Sequence, residues 1–188
     1  MNKRMLLFAI ICAPITLVGC QEGSEPGKLS DFGEVDQPFL QVFSGNCLQN
    51  ATDHDRIRAA ADEFGWERMT DPEQLKMFAP EDADVGWSAW NFVNEERPFA
   101  VAISNGQIDG STVSTCSVMA EVANITATKQ RLVDMTEANL IDRMEESGQL
   151  YEFYSFKDRG NELVLSFLDG TPMDMNILRA SVVSDVSE

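Results

Sequence analysis

Basic residues are scarce in this chain. Only 14 lysines and arginines stand against 31 aspartates and glutamates in 188 residues, a formal charge of −17. Such a chain repels phosphate backbones, which excludes a nucleic-acid-binding surface. Histidine is nearly missing. The one example, His54, sits at the expected start of a helix and reads as a solvated surface residue, because no partner is fixed beside it in the sequence. Also missing are GxSxG, HExxH, a P-loop and GxGxxG. With them go the nucleophile elbow, the zinc-binding helix, the phosphate cradle and the dinucleotide turn. No short internal repeat of the solenoid kind occurs. The longest apolar run, Met5 to Ile15, is interrupted by Pro14 and falls well short of the ~20 residues that a membrane-spanning helix needs.

What is present starts at the amino terminus. Lys3 and Arg4 precede the apolar run, which has the length of a signal-peptide core. Leu17-Val18-Gly19-Cys20 follows. These first 20 residues resemble the signal peptide and lipobox of bacterial lipoproteins. The resemblance implies cleavage before Cys20, a diacylglyceryl group on its thiol and an acylated new amino terminus. Two or three acyl chains anchor a protein stably where one is marginal. Gln21, in place of the aspartate that retains enteric lipoproteins in the inner membrane, implies the outer membrane, facing the periplasm. Removing residues 1–19 takes away Lys3 and Arg4 and no acid, so the mature chain is more acidic still.

Of four cysteines, Cys12 leaves with the signal peptide and Cys20 is expected to carry lipid. Cys47 and Cys116 remain, and in an oxidising compartment they are expected to pair. A disulfide across about 70 residues stabilises by roughly 4 kcal/mol in the chain-entropy view. Their spacing is not that of a CxxC redox pair, and two thiols are too few for a metal.

Residues 20–37 hold Gly, Ser, Pro and acids with little apolar content, and read as a lipidated cysteine on a flexible tether of roughly 20–25 Å. The globular domain is expected over 38–188. Thr52 reads as the cap of a helix carrying Ile57, Ala60, Ala61 and Phe64, stopped by Gly65. Asp71-Pro72-Glu73-Gln74 opens a short second helix ending before Pro80. Strands are expected at Gly86–Val93, Phe99–Ile103 and Thr112–Ala120, with turns at Asn105-Gly106 and Asp109-Gly110. Ala127–Glu146 reads as helical with a possible break near Asp134. Leu150–Phe156, Leu163–Phe167 and Ile177–Val183 complete the strands, with Asp158–Asn161 a turn. The fold class is α+β: one antiparallel sheet of about six strands, in the order α-βββ-α-βββ, with helices on one face and one disulfide.

Several clusters invite chemistry. Glu81–Gly86 resembles a calcium loop only briefly, because its glycine comes one position early and its third acid is missing. Met173-Asp174-Met175 offers soft sulfur to copper(I), but the other methionines sit at core-like positions, so core filling is the reading taken. No metal, cofactor or catalytic residue is therefore assigned. In a strand, Trp90 and Phe92 share one face and Trp87 takes the other. Trp87 and Trp66 are the candidate interface residues, since tryptophan is favoured at binding hot spots. Two functions remain open. One is a non-enzymatic lipoprotein that binds a basic envelope protein. The alternative is a small periplasmic hydrolase using a pair from Glu95, Glu96, Asp109, Glu152 and Glu162.

Overall fold

A computed structural model describes residues 33–78, 86–108, 111–170 and 175–185. Cys20, Asp82 and Met173-Asp174, singled out above, lie outside them, as does the Asp109-Gly110 turn.

Folding starts earlier than Pro38. Gly33, at φ +81°, lies so close to Asn124 that a Cβ there would fall 2.6 Å from its Nδ2. Val35 packs on the core and Asp36 is buried, so the last residues assigned to the tether belong to the body. Asp36 caps helix α1 (Gln37–Phe43) by accepting the Phe39 N–H at 3.0 Å. Its carboxylate also meets Arg97 Nη1 at 2.8 Å, and its own N–H donates to Thr128 Oγ1 at 3.2 Å. Burial pushes the Asp36 carboxyl up, but the Arg97 hydrogen bond, the Phe39 N–H and the Arg97 charge outweigh it and hold it below the usual range.

A π-helical turn, Ser44–Leu48, continues α1 and carries the buried Cys47. Next come α2 (Asp55–Glu63), the two-residue strand β1 (Glu67–Arg68) and α3 (Pro72–Leu75). The α3 cap is the one the sequence gives, with Asp71 accepting the Glu73 N–H at 2.9 Å. Strands β2 (Gly86–Asn94), β3 (Arg97–Ile108) and β4 (Ser111–Glu121) form a meander. Helix α4 (Ile125–Thr136), capped by Asn124, crosses to β5 (Asn139–Glu146), β6 (Gln149–Asp158), β7 (Asn161–Asp169) and β8 (Ile177–Asp185).

The chain is α+β with one antiparallel sheet, as expected, but the sheet has eight strands in the order β1-β2-β3-β4-β8-β7-β6-β5. Three expectations need correction. The carboxy-terminal half of the helix expected over 127–146 is strand β5. Leu, Arg, Met and Glu suit a helix by propensity, but Glu137 turns left-handed (φ 52°), ends α4, and lets the next residues pair with β6. Asn105-Gly106 is not a turn. It lies within β3, pairing with Val113 and Ser114, and the chain reverses beyond Ile108. Finally, the helices do not all share one face.

One face of the sheet buries Phe99, Val101, Ile103, Cys116, Val118, Leu163, Leu165, Phe167, Leu178, Ala180 and Val182 beneath α1, α2 and α4. The other face, at the small residues Ala89, Ala100 and Ala102, takes Met69, Leu75 and Phe78 from the α3 segment. Alanine on that side lets the segment lie close to the strands, so these strands are buried on both faces. At the centre, Ser117 of β4 and Ser181 of β8 share a 2.7 Å hydrogen bond. One residue before Ser117 and on the opposite, helix-covered face, Cys116 bonds Cys47 (Cα–Cα 5.3 Å), tying the first helical segment to the middle of the sheet as the sequence indicated.

Replacing both Cys47 and Cys116 by alanine is expected to lower unfolding free energy by about 3–4 kcal/mol, read as an earlier urea midpoint with a somewhat steeper slope, because the unlinked denatured chain exposes more surface. A loss below about 1 kcal/mol would mean that the bridge constrains nothing.

Candidate functional site

Helix α2 ends in a way that builds a cleft. Phe64 closes it, Gly65 turns left-handed (φ +64°), and the Trp66 N–H reaches back to the Ala61 carbonyl at 2.8 Å. This arrangement needs a glycine at the turn and sets the next side chain against the helix end. Trp66 then stacks on Phe92 of β2 (centroids 4.3 Å, planes 11° apart), and Phe92 on Phe99 at 5.7 Å. The Arg97 guanidinium lies 5.4 Å from the Phe99 ring. Between the α2 end and the rim of β2 lies an open cleft of about 550 Å³, lined by Phe64, Trp66, Glu67, Phe92, Val93 and Asn94. That volume is within the range of ligand sites. Phe64 and Val93 are each 70% exposed. Their apolar surface flanks the stacked pair and stays in water in the free protein.

The hairpin that follows is unusual within this molecule. Two-residue loops join β2–β3, β5–β6 and β6–β7, and each takes left-handed backbone at both positions. The last two use Ser147-Gly148 and Arg159-Gly160, while β2–β3 uses Glu95-Glu96 (φ 51° and 64°). A glutamate held left-handed costs about 1 kcal/mol or more relative to glycine. The chain sets two glutamates directly after Asn94, the last cleft-lining residue of β2, despite that cost.

Trp66, a candidate interface residue, thus lines the cleft. Trp87 does not. It points to the opposite sheet face, as its position in β2 requires, and lies half-buried with its ring 6.4 Å from Phe78. Phe64 escaped attention in the sequence, where it counts as a core position of α2, whereas Val93 shares the face of β2 on which Trp87 and Ala89 were read as a contact surface, and it is Val93 of that face that reaches the cleft.

The histidine expectation is overturned. His54 is only 5% exposed, at the cap position of α2. Ser114 Oγ lies 3.1 Å from its Nε2 and donates to Asn105 Oδ1 at 2.9 Å. The serine proton therefore points away from the imidazole, the reverse of what a nucleophilic serine needs. Burial, helped by the Arg58 charge, holds the His54 pKa below 6.5 against Asp53 and Asp55.

The acidic candidates divide. Glu95, Glu96 and Glu162 are exposed, and Glu152 is buried. Glu152 converges with Asp169, a residue the sequence reading passed over, but both meet one ammonium: Lys129 Nζ is 2.5 Å from Glu152 and 2.8 Å from Asp169. Burial alone would lower the Lys129 pKa, yet the hydrogen bonds and charges of the two acids outweigh it and raise it. Both carboxylates are engaged by the one ammonium, whereas general acid catalysis needs a carboxyl that holds a proton in reserve. Among the described residues, no group of three or more His, Cys, Asp and Glu side chains is placed to hold a metal ion. Compared with known protein families, with curated proteins and with solved structures, the chain matches none.

Two outcomes follow from these contacts. His54 is neutral when folded and takes up a proton more readily unfolded. Stability should hold above pH 6.5 and fall as pH drops from there towards the depressed folded value, a slope that His54→Gln should flatten in urea titrations. Glu96→Gly should raise stability by about 0.5–1 kcal/mol by relieving the left-handed backbone, and an unchanged melting curve would show that no strain is held there.

Proposed function

We propose that this chain is an exported lipoprotein, held to the membrane through lipid on Cys20, whose body binds a basic protein partner through the aromatic cleft between α2 and β2. The observation that carries the reading is the cleft itself: Phe64 and Val93 largely exposed beside the stacked Trp66–Phe92 pair. Exposed aromatic anchors in a concave site mark binding surfaces. Glu67 in the wall, the Glu95-Glu96 turn that follows lining residue Asn94, and a chain charge of −17 favour a cationic partner and speed its approach. The lipobox resemblance supports a periplasmic side for the protein, and Gln21 favours the outer membrane. A carboxylate-using hydrolase is the weaker reading, because the one buried acid pair described is bridged by Lys129.

Mass spectrometry of the cell-derived protein should find acylated Cys20 as its first residue. A photoreactive amino acid at Val93, introduced in living cells, should yield one discrete adduct with a protein of basic isoelectric point. That adduct should vanish with Trp66→Ala and should not form from the same probe at Lys157. A smear common to both positions would contradict the cleft as a binding site.

A further inference from the structure

We propose that β5 is an acceptor edge, along which an extended segment of a protein partner, bearing lysines or arginines at alternate positions, adds to the sheet as a further strand. The proposal deepens the reading above by giving a basic partner a backbone form.

The sheet has two edges. On one side β1 is only two residues long. On the other, β5 runs eight residues, pairs among the described residues with β6 alone, and every one of its residues is exposed. Proteins usually protect a long edge by shortening it or covering it with another element. Here the edge carries Leu140, Ile141 and Met144, which are 55%, 56% and 43% exposed. The register shift between Leu140 and Asp142 sets Leu140 opposite Tyr154 and Met144 opposite Tyr151, residues of opposite faces of β6. An incoming strand therefore meets an apolar side chain on each face, as well as an open row of backbone groups. Strand addition draws affinity from the main chain and specificity from alternate side chains.

Charge selects the occupant. Asp142, Glu145 and Glu146 stand against one cation, Arg143, which already leans towards Glu152 at 3.7 Å. A second copy of this chain would bring a second acidic strand and another −17 of charge. The segments of this chain outside the described residues do not answer the acids either. Residues 1–32 hold equal numbers of basic and acidic side chains, and 79–85, 109–110, 171–174 and 186–188 hold acids and no base. A separate basic segment meets the requirement, with its alternate cations on the face of Asp142, Met144 and Glu146 and its apolar residues on the face of Leu140.

The test uses the full chain and two synthetic peptides of equal length and charge, one alternating lysine with valine and one alternating lysine with glycine. The valine peptide should slow amide exchange along 139–146. The glycine peptide, which disfavours strands, should not. Asp142→Lys with Glu145→Lys and Glu146→Lys, all at exposed positions, should weaken binding of the valine peptide by about tenfold or more, and Trp66→Ala should leave it unchanged. Equal protection by both peptides, protection away from β5, or undiminished binding to the triple variant would overturn the proposal. Loss with Trp66→Ala instead would assign the peptide to the cleft, so failure here is separable from failure of the cleft reading.

Discussion

The pairing of β4 with β8 is the constraint on which the rest of this structure depends. After β4 the chain does not return to the same edge. Helix α4 carries it away, three strands are laid down from the far side inward, and β8 closes the sheet against β4. Two meanders thereby become one sheet. The seam lies at the centre of the core, with Cys116, Val118, Ala180 and Val182 buried beneath the helices and Ser117 bonded to Ser181 on the other face. Because closure happens in the middle, the short β1 with its aromatic cleft is pushed to one margin and the bare β5 to the other. Both surfaces proposed to bind are consequences of that topology.

Charge is organised by the same economy of cations. The chain has few, and the fold keeps several of them inside. Arg97 holds Asp36 and donates to the Glu121 carbonyl, Lys129 holds Glu152 and Asp169, and Arg179 donates to the Met77 carbonyl. Each such contact joins elements far apart in sequence. Arg97, Lys129 and Arg179 are withdrawn along with Asp36, Glu152 and Asp169, so the chain's net negative charge stays on the outer surface undiminished. A buried pair broken on one side loses about 3–5 kcal/mol, so Lys129, buried between Glu152 and Asp169, is fixed by stability.

Much of this was legible in the sequence because alternation and turn residues are local. Leu163, Leu165 and Phe167 announce β7, Asp71-Pro72 announces α3, and two leftover cysteines announce their bond. What could not be read was decided by distant contacts. Residues 139–146 have the composition of a helix and become a strand because β6 offers a partner. The residues before Pro38 look like linker and are claimed by Arg97 and Thr128. His54 looks solvated and is drawn inward to Ser114. The cleft was half visible: Trp66 is a recognisable anchor, but Phe64 has the spacing of a core position with Ile57 and Ala61 and yet is exposed at the end of α2, and the acidic hairpin is unusual only beside its two glycine-bearing counterparts.

Site-resolved native-state hydrogen exchange tests the central claim most directly. If one sheet is closed at the β4–β8 seam, the amides of Cys116–Ala120 and Leu178–Val182 should exchange only through global unfolding. Both meanders should then share that single highest opening free energy. Seam amides that exchange first, with the two halves of the chain opening as separate units, would contradict it.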